Sequence, residues 1–206
     1  MTAVDETAAV SDEATDRSGQ KPTGSELVAE VLKRRWPWLL VAELALTASL
    51  VLRGAPAALW PALTCVTAVC VMLAVVDLRH HRLPDVLTLG SYPVIAALLL
   101  IPALADEQFP AWIRACTACL ATGLGLVVLG RVLGYGAGDA KLAGLLAMPL
   151  AWHSWGACLV GLWAGFLMTS LSGAVLITTR RIGRRDRFAA GPGLMAGAYL
   201  VLVAVL

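Results

Sequence analysis

From Trp36 to the last residue, Leu206, the chain is a succession of apolar runs, broken by short segments that carry most of the remaining charge. Crossing a hydrocarbon core of ~30 Å takes about 20 helical residues. Runs of about that length fall at 36–52, 56–76, 86–104, 111–133 and 154–179, with shorter ones at 140–152 and 192–206. Backbone polar groups in lipid must be satisfied within the segment, so helices are expected. The expected fold is all-α: a polytopic integral membrane bundle of about seven transmembrane helices. Composition agrees, since 59% of the residues are hydrophobic and the mean hydropathy is +0.77. A soluble domain of this size could not bury that much apolar surface, and nucleic acid is not an expected partner.

The charges are unevenly placed. Seven of the 14 acidic residues lie in the first thirty positions, among Thr, Ser and Ala. Residues 1–32 therefore read as a disordered polar tail with no chemistry assigned, followed by one membrane domain over 33–206. The first apolar run begins only at Trp36, so the start does not read as a secretory signal. Counting Lys and Arg in the connecting segments puts twelve on the side of the tail and two, Arg53 and Arg114, on the other. The positive-inside rule then places the N-terminus in the cytoplasm of a multi-pass plasma-membrane protein. Six of the seven tryptophans lie near run ends, where indole rings favour the interface; Trp163 lies well inside its run.

That topology puts two polar segments on one face: DLRHHRLPD at 77–85, and GYGAGDAKL at 134–142. Asp77 closes the second run and Asp139 opens the fifth, 62 residues later. The hairpin of the third and fourth runs between them returns the chain to the same side, so the carboxylates can meet. Two close, partly desolvated carboxylates titrate apart, leaving one protonated while the other is ionised. That is the requirement of an aspartic protease. Gly134, Gly136 and Gly138 clear side chains from the approach to Asp139. Asp139 at a helix start is favoured in its ionised form by the dipole, and Lys141 is placed to deepen that effect. The plainer reading of these residues is a helix cap, a positive-inside charge and a flexible loop, with Asp77 as an interfacial loop charge.

Other polar residues have structural readings. His80 and His81 read as solvated loop residues. Pro84 holds Leu83 extended, and Asp85 is expected to cap the third span. Glu43, in the middle of the first run, is expected to pair with a polar group inside the bundle. The five cysteines all sit in apolar runs. Cys116 and Cys119 are spaced as CxxC, but without two further ligands nearby they read as small packing residues.

With both segments in view, the sequence resembles the prepilin peptidase family of membrane aspartyl proteases, also called type IV leader peptidases. The similarity rests on DLRHHRLPDVLTL from Asp77, on the GxGD-type motif of Gly136, Gly138 and Asp139 with Lys141, and on FAAGPGLMAGAYL at 188–200. It covers roughly residues 56–206. The resemblance implies that Asp77 and Asp139 are the catalytic pair, with Gly136, Gly138, Lys141, Pro84 and Asp85 supporting the site or the substrate. It implies cleavage of a short basic leader, typically after glycine, from prepilin-like precursors of type IV pili, Flp or Tad pili, or type II secretion pseudopilins, at the cytoplasmic membrane face. No cofactor or metal is implied. The cysteine-rich methylation region of the longer bacterial members has no counterpart here, so the chain resembles the short, peptidase-only members. Presenilin-like proteases share the GxGD aspartate, but Asp77 lacks their preceding tyrosine and the late segment reads Gly-Pro-Gly-Leu. The alternative from another class is a non-enzymatic multipass protein, a small transporter or an assembly subunit of a secretion machine.

Overall fold

The computed structural model describes residues 24–80, 84–133, 137–179 and 189–206. Among the described residues there are seven α-helices, a one-turn 3-10 helix and no strand. The helices are α1 (Gly24–Leu52), α2 (Trp60–His80), α3 (Asp85–Ala105), α4 (Phe109–Leu133), α5 (Ala137–His153), α6 (Trp155–Thr178) and α7 (Gly191–Val205), with the 3-10 turn Ala57–Leu59 leading into α2. Each apolar run lies on one helix, and the ends agree to within a few residues except at the start of α1. Among the described residues only α2, α3, α4 and α6 are long and apolar enough to cross a membrane, while the apolar part of α1, Trp36–Leu52, and α7 are shorter. The expected helical membrane bundle is present, but length and composition support four crossings, not seven. α1 starts at Gly24, so residues 24–32, expected in the polar tail, are helical.

α5 lies at the centre. Its 17 residues span about 25 Å, and every residue from 142 to 152 is buried. It packs against α2, α3, α4, α6 and α7. A helix enclosed by protein meets no lipid, so bilayer thickness does not set its length. Its C-terminal carbonyls need partners, and Arg114 of α4 supplies them. Nε donates to Ala151 O at 2.5 Å, and Nη2 donates to Trp152 O and, at 3.2 Å, to His153 O. The guanidinium also meets the negative end of the helix dipole.

The other joints have local causes. α1 ends where Gly54, at φ +97°, closes a Schellman turn: Gly54 N donates to Val51 O and Ala55 N to Leu50 O. Ser154 caps α6, accepting from Ala157 N at 2.9 Å, so α5 and α6 form a tight hairpin. Glu43 pairs inside the bundle as expected: Oε1 accepts from Thr47 Oγ1 at 2.9 Å and from Thr67 Oγ1 of α2 at 2.7 Å. Cys119 and Cys158 are buried packing residues. Trp163, inside its run by sequence, points outward and is 76% exposed.

α6 and α7 cross through small residues. Gly161 and Gly165 on α6, and Gly193 and Gly197 on α7, are each spaced as GxxxG. A Cβ on Gly197 would lie 2.3 Å from Gly165 N, and one on Gly193 2.7 Å from Thr169 Cα. Helices in lipid associate largely by this kind of close backbone contact. Gly197→Ala is expected to destabilise the protein by about 1–3 kcal/mol through overpacking. Gly125→Ala, where an added Cβ meets nothing within 4 Å, is expected to be neutral or stabilising by up to about 1 kcal/mol. Unfolding in detergent micelles checks both, and equal effects would mean the crossing is not tight.

Candidate active site

Asp77 lies in the last turn of α2 and is 5% exposed. The neighbouring Val76 and Val31 of α1 are both fully buried and hold this end of α2 against α1. Antiparallel packing brings the start of α7 to the same place, and Gly191, the first residue of α7, donates its N–H to Asp77 Oδ2 at 2.9 Å. A side chain at residue 191 would collide with the carboxylate, since a Cβ there would sit 2.8 Å from Oδ2. The same Cβ would lie 3.6 Å from Leu142 Cδ2, which places the first turns of α5 beside this contact.

Asp139 lies in the first turn of α5, one turn before Leu142. Burial pushes its carboxyl above the usual carboxylate range, and the charge of Asp77 raises it further. The two aspartates, far apart in sequence, thus interact through space. Two cavities open at Asp139. One, of about 350 Å³ between α4, α5 and α6, is lined by Leu126, Leu129, Trp163 and Phe166. The other, of about 460 Å³ between α6 and α7, has a partly polar wall that includes Thr169 and Ser170. Phe166 borders both.

The supporting residues divide. Lys141 and Asp85 meet, with Nζ to Oδ1 at 2.6 Å, joining the starts of α5 and α3. Tyr92 of α3 reinforces that joint by donating to Lys141 O at 2.5 Å. The ammonium is therefore engaged by Asp85. Residues two apart on a helix also point to different faces, so Lys141 is poorly placed to tune Asp139. Asp85 is not the cap of α3: the N-cap position is held by Pro84, at φ −67° and ψ 124°, with no side-chain capping bond, and Asp85 sits one residue inside. Its charge still meets the positive end of α3. Pro84 is buried, and its carbonyl accepts from the Leu87 and Thr88 amides. Gly138 is half-buried at the start of α5, while Gly134, Gly136 and His81 lie outside the described residues.

Gly191 is the residue that sequence reasoning does not assign. The Gly-Pro-Gly segment contributes to the resemblance, but nothing in one sequence says that its backbone meets Asp77. Thr169 is also new, donating from Oγ1 to Ala190 O at 3.1 Å and so holding the start of α7 to α6.

Residues 64–179, more than half of the 206, match the model of the type IV leader peptidase family. The chain belongs to that family. No curated protein and no solved structure matches the chain. The match places this leader peptidase family member among proteases and contains Asp77, Asp85, Asp139 and Lys141, while Gly191 lies beyond its end.

The Lys141 and Asp85 side chains are 25% and 61% exposed, so their pair is screened. Lys141→Gln and Asp85→Asn should each cost less than about 1 kcal/mol, with a coupling of a few tenths of a kcal/mol in a double-mutant cycle. A coupling near zero would mean that the pair adds nothing to the α3–α5 joint.

Proposed function

We propose that the protein is an intramembrane aspartyl endopeptidase that removes the N-terminal leader from prepilin-like precursors at the cytoplasmic membrane face. Asp77 and Asp139 are its catalytic pair. The observation that carries this reading is the meeting of Asp77 with the first turns of α5 at Gly191, where a Cβ would stand 2.8 Å from Asp77 Oδ2 and 3.6 Å from Leu142 Cδ2. The upward push on the Asp139 carboxyl by its burial and by the charge of Asp77 accords with it. Family membership supports the reaction class.

In this reading one carboxylate takes a proton from water as the water oxygen bonds to the scissile carbonyl carbon. The other carboxyl gives its proton to the carbonyl oxygen. Collapse of the tetrahedral diol breaks the C–N bond, the leaving nitrogen is protonated, and the pair regains its single shared proton. No covalent intermediate forms. The two cavities that open at Asp139 and share Phe166 are the sites this reading gives to the substrate residues on either side of the scissile bond. With α1, α5 and α7 also traversing the bundle from face to face, most Lys and Arg fall on the face of the site, which supports a cytoplasmic site. The basic leader is then recruited by anionic lipid more than by Asp85, whose carboxylate already holds Lys141.

Co-expression with a candidate prepilin tests the reading. Asp77→Asn and Asp139→Asn should each lower leader removal by at least about 100-fold while the protein still accumulates in the membrane. Retained cleavage in either variant would overturn the two-aspartate assignment.

A further inference from the structure

Within the dyad, the two aspartates have unlike surroundings. Asp77 is the more enclosed, and Oδ2 receives the Gly191 N–H at 2.9 Å. A hydrogen bond from a backbone amide to a carboxylate is stronger when the acceptor is charged. That amide opens α7, so the positive end of the helix dipole points at Asp77. The next residue, Pro192, has no N–H to offer, and Gly191 presents its own to Asp77. The approach is closed to any side chain, because a Cβ at residue 191 would stand 2.8 Å from Oδ2. The donor is itself anchored, since Thr169 Oγ1 donates to Ala190 O and the crossing with α6 fixes the rest of α7. Asp139 instead faces two cavities walled largely by apolar side chains such as Leu126, Leu129, Phe166 and Leu194.

We infer that Gly191 is a positioning residue for the proposed reaction: its backbone N–H fixes Asp77 as the ionised member that acts as base, leaving Asp139 as the proton donor. This rests on the peptidase reading above. Asp77 takes the proton of the attacking water while Asp139 gives its proton to the scissile carbonyl oxygen. Asp77 then protonates the leaving nitrogen as the C–N bond breaks, and Asp139 recovers a proton from a diol hydroxyl. Protons balance, and no other reactant is needed. The raised carboxyl of Asp139 agrees with this division. The charged groups and histidines on the elements around Asp139 are Asp77, Arg79 and His80 on α2, Arg131 and, toward the far end, Arg114 on α4, Lys141 and, at the far end, His153 on its own helix, and Asp85 on α3, which pairs with Lys141. The described parts of α6 and α7 carry none.

The full-length protein is tested in detergent or liposomes with a prepilin substrate. Gly191→Ala should lower kcat roughly 10–100-fold with little change in KM. Gly193→Ala is the comparator, because its Cβ would strike Thr169 of α6 and disturb the same helix start without touching Asp77. Losses of kcat that are equal in the two variants, or an unchanged kcat in Gly191→Ala, overturn the positioning role. Should Gly191→Ala fail to accumulate, Thr169→Val frees the Ala190 carbonyl. A kcat loss restored by Thr169→Ser then supports the inference, and an unchanged kcat overturns it. The division of roles is read from pH profiles. Phe166→Ala opens the wall beside Asp139 to water and relieves its burial, so the alkaline limb of kcat should move to lower pH. Movement of the acidic limb instead, or of neither limb, overturns the assignment. The Asn variants separate the levels: if both are inactive and the Gly191 result fails, the peptidase reading stands and only this inference falls.

Discussion

The structure depends on one constraint, the enclosure of α5. A 17-residue helix buried along its length has no lipid-facing surface to satisfy, and it is positioned by the helices around it. Its two ends are then the informative places. At one, Arg114 reaches across from α4 to take the last carbonyls. At the other, the first turn carries Asp139, and the Lys141 contact with Asp85 ties that turn to α3. A short enclosed helix is thus a means of holding a carboxylate at a set depth, within reach of water yet flanked by apolar walls.

Low polarity around the pair makes the few polar contacts decisive. In bulk water a single amide hydrogen bond or a neighbouring carboxylate alters a carboxyl little, but partial desolvation strengthens both effects. Asp77 is more buried than Asp139, and burial alone would disfavour charge at both. The backbone amide of Gly191 sets Asp77 apart from Asp139, because a donor stabilises the anion more than the neutral acid. In the proposed reaction such asymmetry gives proton transfer a preferred direction. Two equivalent carboxyls would share the proton without a preferred direction of transfer.

The helices and the two aspartates are legible in the sequence for a simple reason: apolar runs and isolated charges are local signals. The existence of a helix over 137–153 is visible, but its enclosure is not. A run such as LAGLLAMPLAW looks the same facing lipid or protein, and only the placement of the other helices separates the two. The partner of Glu43 is legible in kind but not in identity, since Thr47 is one turn away whereas Thr67 comes from another helix. Asp85 and Lys141 are visible as charges. Assigning Asp85 as a cap fails because Pro84 takes that position, and the long-range contact with Lys141 has no sequence signature. Gly191 is the extreme case. It contributes only a backbone N–H and the absence of a Cβ, and neither is distinguishable in sequence from a flexible turn.

The crossing of α6 and α7 is consequently part of the site's construction even though it lies in the apolar interior. Moving α7 by one residue along its axis shifts its start by about 1.5 Å, while a useful hydrogen bond tolerates a few tenths of an ångström. A crossing built on Gly165, Gly193 and Gly197 leaves little freedom to slide, because backbone approaches backbone closely at each of them. A crossing of Leu on Leu would bury similar surface and permit several registers. The small residues therefore act as a ruler that sets the height of Gly191 against Asp77, and packing several turns from the carboxylates determines whether their geometry is right.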